Sequence, residues 1–169
     1  MYDSYYTLTG SGPATWTHDH TPEGVHDLCG NHLEMLRGLR IKDGRLQAAE
    51  NNDAALDIDL TPDGDGWKPI YDNNGENISV SVTGGRICIS TTTHIEQDYT
   101  GCEWSEVEMD CESEQLKELA LYAGEPDTYC YIDSTDGEYF PVRGGHWLDG
   151  AVAGVFCTGL ISPRSDVGT

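Results

Sequence analysis

Apolar residues along this chain recur mostly at every second position. Ile78, Val80 and Val82 alternate with Ser79 and Ser81, and after Gly84-Gly85 come Ile87 and Ile89, alternating with Cys88 and Ser90. A period of two marks strands with one apolar face, and a Gly-Gly centre supplies the positive φ of a two-residue hairpin turn. Leu36 to Ile41 and Arg45 to Ala48 repeat the arrangement around Asp43-Gly44, another turn signal. One helical period interrupts the pattern: Leu116, Leu119, Ala120 and Ala123 fall at i, i+3, i+4 and i+7 behind Ser113 as cap, with Gly124 and Pro126 as the stop. Aromatic strands follow at Tyr129–Ile132 and Tyr139–Val142, around a turn ending in Asp136-Gly137. Strands, loops and one helix predict an α+β fold class in a single domain over 1–169. Two acidic excursions, at about 51–67 and 94–112, leave its core.

Composition narrows the partners. Nine Lys plus Arg against thirty Asp plus Glu leave a net charge of −21, a field that repels phosphate backbones and anionic headgroups. Nucleic acid and membrane insertion are therefore excluded as partner classes. The chain shows no apolar run of membrane-spanning length and no basic start followed by an apolar middle, so it reads as soluble, without signal peptide or transmembrane segment. Residues 94–112 hold seven acids and no Lys or Arg, which predicts a solvated loop. The six cysteines contain no C-x-x-C spacing and read as free, mostly buried thiols. Cys102 and Cys111, which flank the acidic loop, are the first pair to check for a disulfide.

Candidate chemistry is sparse. Asp57, Asp59, Asp63 and Asp65 lie close enough in sequence to wrap a hard cation such as calcium, yet their spacing does not match an EF-hand loop. A plain acidic turn is the alternative, and no other cofactor is implied. His18, Asp19, His20 and His26 could ligate a transition metal, against a simpler role in local hydrogen bonding. No G-x-S-x-G and no phosphate loop occur, since Thr83-Gly84-Gly85-Arg86 sits within a hairpin.

Two stretches carry more. Thr21-Pro22-Glu23-Gly24-Val25-His26-Asp27-Leu28-Cys29-Gly30-Asn31-His32-Leu33-Glu34-Met35 fits the pattern P-x-G-[VI]-x-D-L-x-G-N-x-x-E. Pro141-Val142-Arg143-Gly144-Gly145-His146-Trp147, then Gly154-Val155-Phe156 and Pro163-Arg164-Ser165, fits a late R-G-G-x-W pattern. Together they resemble the formylglycine-generating-enzyme (sulfatase-modifying factor)-like branch of the C-type lectin fold. That resemblance implies an α+β, loop-rich domain of short antiparallel strands with one or two helices. In physical terms, Gly144-Gly145 permits close backbone approach and Trp147 anchors a small core. The oxidase members carry two cysteines where Asp149 and Gly154 stand, and Cys157 is a single thiol out of register with them, so the copper-dependent oxidation lacks its pair. Aromatic residues of the family are replaced at His32, Leu33 and Met35. The family also ends on a G-F-R strand, so a chain stopping at Thr169 is expected to lack its last strand and expose a sheet edge.

The chain is more similar to the phage-tail branch diversified by retroelements, whose C-terminal part is a hypervariable ligand surface. Gly144, Gly145, Trp147, Gly150, Gly154, Val155, Phe156, Leu160, Pro163, Arg164 and Ser165 match its framework. Leu148, Asp149, Val152, Gly159, Ile161 and Ser162 fall where relatives commonly hold Asn, and an AAC codon reaches each by changing adenines alone. Alternation adds that if Phe156, Thr158 and Leu160 face the core, Cys157, Gly159 and Ile161 face outward together. The resemblance thus implies a non-enzymatic, virion-borne binding domain for host attachment, with a homo-oligomer displayed on a fibre. Its ligand would be a host cell-surface protein or glycan, met through His146, Trp147, Leu148, Asp149, Val152, Cys157, Gly159, Ile161 and Ser162 in a variable segment at about 146–169. Three readings compete with it: Leu148 and Val152 as ordinary core residues, a metal-dependent oxidase or hydrolase using Cys157 with His146 or the acidic loop, and a structural virion protein without ligand.

Overall fold

Two tight turns organise the architecture. Asp43 and Gly44 take φ of 49° and 73°, and Gly84 and Gly85 take 59° and 78°, the left-handed pair whose twist suits a hairpin. The computed structural model describes residues 8–26, 28–92, 98–121, 129–146, 148–149, 153–154 and 157–165. Their strands are β1 (Glu34–Met35), β2 (Leu39–Lys42), β3 (Arg45–Ala49), β4 (Trp67–Pro69), β5 (Ser79–Thr83) and β6 (Arg86–Ser90). After these come β7 (Tyr99–Glu103), β8 (Glu108–Met109), β9 (Tyr129–Asp133), β10 (Glu138–Arg143) and β11 (Thr158–Pro163).

All eleven join one sheet in the order β7-β9-β11-β10-β2-β3-β5-β6-β8, with β1 added to β10 and β4 to β3. Pairings are antiparallel except β11 with β9 and β6 with β8. The sheet curls on itself. The Thr100 hydroxyl of β7 donates to the Gly85 carbonyl at 3.3 Å, and the Cys102 thiol accepts from the Ile87 backbone of β6. Inside the curl, Ile41, Leu46, Ile78, Val80, Val82, Ile87, Ile89, Ile132 and Leu160 form one buried cluster with Trp104. Each such aliphatic side chain contributes about 1.5–3 kcal/mol by leaving water.

The α+β expectation is overturned. The fold is predominantly β, and among the described residues the single α-helix is α1 (Glu114–Glu118). Ser113 caps it as expected, its hydroxyl accepting from Leu116 N. The helix stops early because Ala120 turns left-handed (φ 52°), with Leu121 N bonded to Leu116 O and Ala120 N to Lys117 O, a Schellman closure that buries Leu116 and Leu121 together. The expected stop at Gly124 and Pro126 lies outside the described residues, as does Ala123. No helix among the described residues is long and apolar enough to cross a membrane.

Both excursions fold back. Within 94–112 the solvated loop is replaced, over the described residues, by β7, β8 and a 3-10 turn at Trp104–Glu106. Trp104 and Val107 drop into the core, while Glu103 and Glu106 close a reciprocal capping box. Two of the acids there thus serve as caps and Glu108 pairs with Arg86, which leaves Trp104 and Val107 to pack. Within 51–67, a 3-10 turn at Glu50–Ala55 leads to Leu60 and Trp67, which pack with Ala49, Ala54 and Phe140 in a second cluster. The hairpin β5–β6 also departs from its expected single apolar face, because Ser79, Ser81, Cys88 and Ser90 are buried too. Their small side chains suit a sheet covered on both sides.

Candidate functional site

The C-terminal strands place four residues in one row. Register aligns Gly101 of β7 with Tyr131 of β9, Tyr131 with Gly159 of β11, and Gly159 with Val142 of β10. Tyr131 therefore has a glycine on each side. Its ring leans over Gly101, where an added Cβ would lie 2.4 Å from the ring. At buried Gly159 an added Cβ would lie 3.1 Å from the Val142 side chain and 3.2 Å from that of Ile161, and a depression of about 310 Å³ opens above this crowded floor. Tyr99 and Tyr131 wall one flank, Val142 and Ile161 the other, and Leu33 and Leu148 stand at the edge.

The loop after β10 supplies the remaining rim. Gly144 and Gly145 carry φ of 90° and 77°; a Cβ on Gly144 would sit 2.9 Å from Leu28 O, and one on Gly145 2.7 Å from Ala153 Cα. Gly144 O accepts from both Gly30 N (2.9 Å) and Gly154 N (3.1 Å). This glycine pair lets three backbone segments meet. From that anchor the chain turns at His146, whose carbonyl accepts from Asp149 N at 2.9 Å and whose own N–H donates to the Asp149 carboxylate. Asp149 is thereby held over the depression, half-buried, with Leu148 projecting beside it at 68% exposure.

Of the nine ligand residues expected from sequence, His146, Leu148, Asp149, Cys157, Gly159 and Ile161 line this one depression. The expectation that Cys157, Gly159 and Ile161 share a face holds, with Thr158 and Leu160 buried on the other side. Their exposure does not. Cys157 is only 2% exposed and Gly159 is buried, with the Val142 and Ile161 side chains crowding Gly159, so they form floor rather than surface. Ser162 pairs opposite Phe140, past an irregularity between Phe140 and Pro141, and does not line the depression. Trp147, Val152 and Phe156 lie outside the described residues.

Burial raises the Tyr131 phenol pKa, and the nearby Asp149 carboxylate adds to the rise. Burial likewise pushes the Cys157 thiol up; Asp149 adds to this while Arg143 opposes it. A thiol kept protonated is a poor nucleophile and a poor metal ligand, although Cys157 and His146 do share the depression. Among the described residues, no three His, Cys, Asp or Glu side chains are gathered to hold a metal ion. The calcium candidates are spread: Asp59 accepts from Thr61 N and Oγ1, which holds its carboxyl below the usual range, and Asp63 pairs with Lys42 at 2.9 Å. Asp57 and Asp65 join neither arrangement. At the N-terminal side, His18 Nδ1 accepts from Val25 N, His20 Nδ1 meets Thr15 O and Asp19 serves Thr21; the buried Nδ1 of His26 has no partner. All six cysteines are free, and Cys102 faces Cys130 across β7 and β9 instead of Cys111.

Sequence reasoning missed Tyr99, Tyr131, Val142 and Leu33. The signal for Tyr131 was the tyrosine alternation itself, Tyr129-x-Tyr131, whose rings lie 5.5 Å apart on one face of β9. Compared with models of protein families and with curated proteins, the chain matches none.

Proposed function

We propose that this chain is a non-enzymatic binding protein for host attachment, of the phage-tail kind diversified by a retroelement, and that the depression above Gly159 is its ligand surface. One observation carries the reading. Residues nominated as variable from the sequence alone, Leu148, Asp149, Gly159 and Ile161, border a single depression whose backbone belongs to a paired sheet and a glycine-anchored turn. A frame of that kind tolerates exchange of outward side chains at a cost within about 0.5 kcal/mol each. Exposed Leu148 and Tyr99 beside half-buried Ile161 form an apolar centre, and polar groups rim it, the usual anatomy of a protein-binding patch. The ligand is a cell-surface protein or glycan of the host, and display in several copies on a fibre multiplies weak contacts by avidity.

The test replaces Leu148, Asp149 and Ile161 together by Ser, Asn and Thr. Host-cell adsorption should fall at least tenfold while the thermal midpoint stays near that of the parent. Unchanged adsorption sinks the reading. A second measurement needs no protein: DNA beside the gene should contain a reverse transcriptase and a near-copy of the 3′ end with adenines at the differing sites. A stoichiometric copper signal in the gently purified protein would instead favour an oxidase.

A further inference from the structure

The depression has a chemical preference that its shape alone does not state. Its lining joins carbon and phenol surface from Val142, Ile161, Leu148, Tyr99 and Tyr131 to the His146 ring and the Cys157 thiol, and among the described lining residues Asp149 is the one acid, with no Lys or Arg. Arg143, next to Val142 along β10, donates instead to Leu119 O. The field of a chain at −21 reinforces the sign. Tyrosine faces attract cations through the ring quadrupole, and a guanidinium, flat and weakly hydrated, stacks on them better than an ammonium does. A volume of about 310 Å³ admits one long side chain and excludes a bulky oligomer from the floor.

Resting on the binding role proposed above, we infer that the depression seats an arginine side chain presented by a protein partner: its stem lies on Ile161 and Val142 over Gly159, and its guanidinium lies between the tyrosines and the Asp149 carboxylate. Three features meet there: a glycine in the floor between Val142 and Ile161, a tyrosine wall, and a single carboxylate on a rim shared with His146.

The experiment titrates the full chain with Nα-acetyl-arginine methylamide, following backbone amide resonances of 131, 148, 149 and 161. Nα-acetyl-citrulline methylamide, the neutral isostere, and simple methyl glycosides are run beside it. The arginine compound should bind about tenfold more tightly than the citrulline one, the ratio expected from one cation–π contact with a charge partner. D149N keeps a hydrogen-bond acceptor for His146 N but removes the charge partner, and should narrow the gap between the two compounds to the part that the tyrosine faces supply. G159L fills the floor and should abolish both, with folding checked by retention of the remaining amide pattern. Equal binding of arginine and citrulline, or preferential saturation by a glycoside, overturns the inference. Host-cell adsorption separates the two levels. If G159L abolishes it and D149N leaves it intact, the arginine assignment alone fails; if G159L leaves it intact, the binding role fails and takes the inference with it.

Discussion

Two cavities of this protein differ threefold in volume, and the larger one is the less suited to a ligand. About 930 Å³ lies between the sheet and the folded-back segment near Ile58, Leu60, Trp67, Phe140 and Arg164. The buried charges beneath it are already committed, although Arg37 and Asp57 of its lining stay exposed. Glu138 accepts from both Arg40 and Arg164, Arg40 also donates to Pro62 O and Gln47 Oε1, and Arg164 donates to Leu60 O. Arg40 sits 4.2 Å from the centre of the Trp67 ring, and Arg164 5.0 Å from that of Phe140. That cavity is a seam stitched by ions. The depression over Gly159 has a third of the volume but leaves Leu148 and Tyr99 more than half exposed. Apolar surface left exposed, more than space, marks the smaller one as the place for a partner.

The comparison breaks first at Glu138. Replacing it by Ala leaves two guanidinium groups against each other, with Arg40 only 3% exposed. Loss of a partner in such a buried network costs about 3–5 kcal/mol, to be read from denaturant unfolding. The carboxyl is also a pH device. Burial raises its pKa, but the hydrogen bonds and charges of Arg164 and Arg40 outweigh burial and hold it below the ordinary value of 4.5. A depressed folded pKa means the stabilisation is complete above the unfolded value and fades as pH falls through the folded one. The stability gap between the parent and E138Q should therefore be widest above about pH 5 and close in more acidic solution. A gap constant from pH 7 to pH 3 would show that charge is not what the seam depends on.

Next in size is Gly145→Ala. It places a Cβ in left-handed backbone against Ala153 and should cost on the order of 2 kcal/mol. Because the same turn presents His146 and Asp149, adsorption should fall along with stability, unlike the response at Glu138, where stability falls and the depression keeps its shape. A G145A chain as stable as the parent would mean that the turn is not a fixed anchor.

Legibility followed the range of the interactions involved. Asp43-Gly44 and Gly84-Gly85 are local, each turn needing only its own positive φ, and both hairpins stand where period and turn residues put them. Helix length failed because its end is set by Ala120 entering a left-handed conformation so that Leu121 can reach the core, which a periodic pattern cannot register. Acid-rich stretches looked solvated because charge density hides sparse anchors such as Trp104, Leu60 and Trp67. In the candidate site, alternation put Cys157, Gly159 and Ile161 on one face. It could not reveal that Gly159 lies between Tyr131 and Val142, since neighbours across strands are fixed by long-range register. Tyr99 was invisible for the same reason, being brought beside β9 only by the β7–β9 pairing.

The smallest effect is the most telling one. Leu148→Ser removes a side chain that is 68% exposed, and Tyr99→Ser trims one that is 53% exposed at the sheet's edge strand. Neither gives up much buried area, so each should shift unfolding by no more than about 0.5 kcal/mol. Phe140→Ala, on the seam side and 3% exposed, should cost about 3–5 kcal/mol. Set side by side, the three variants ask whether the molecule keeps stability and recognition on separate surfaces. If Leu148→Ser destabilised the chain as much as Phe140→Ala, its side chain would be part of the packing, and no exchangeable surface would exist there. If it left folding intact and lowered adsorption severalfold, exposed Leu148 would belong to a surface that a partner covers, unlike Leu8 and Leu56, which are more than half exposed away from the depression.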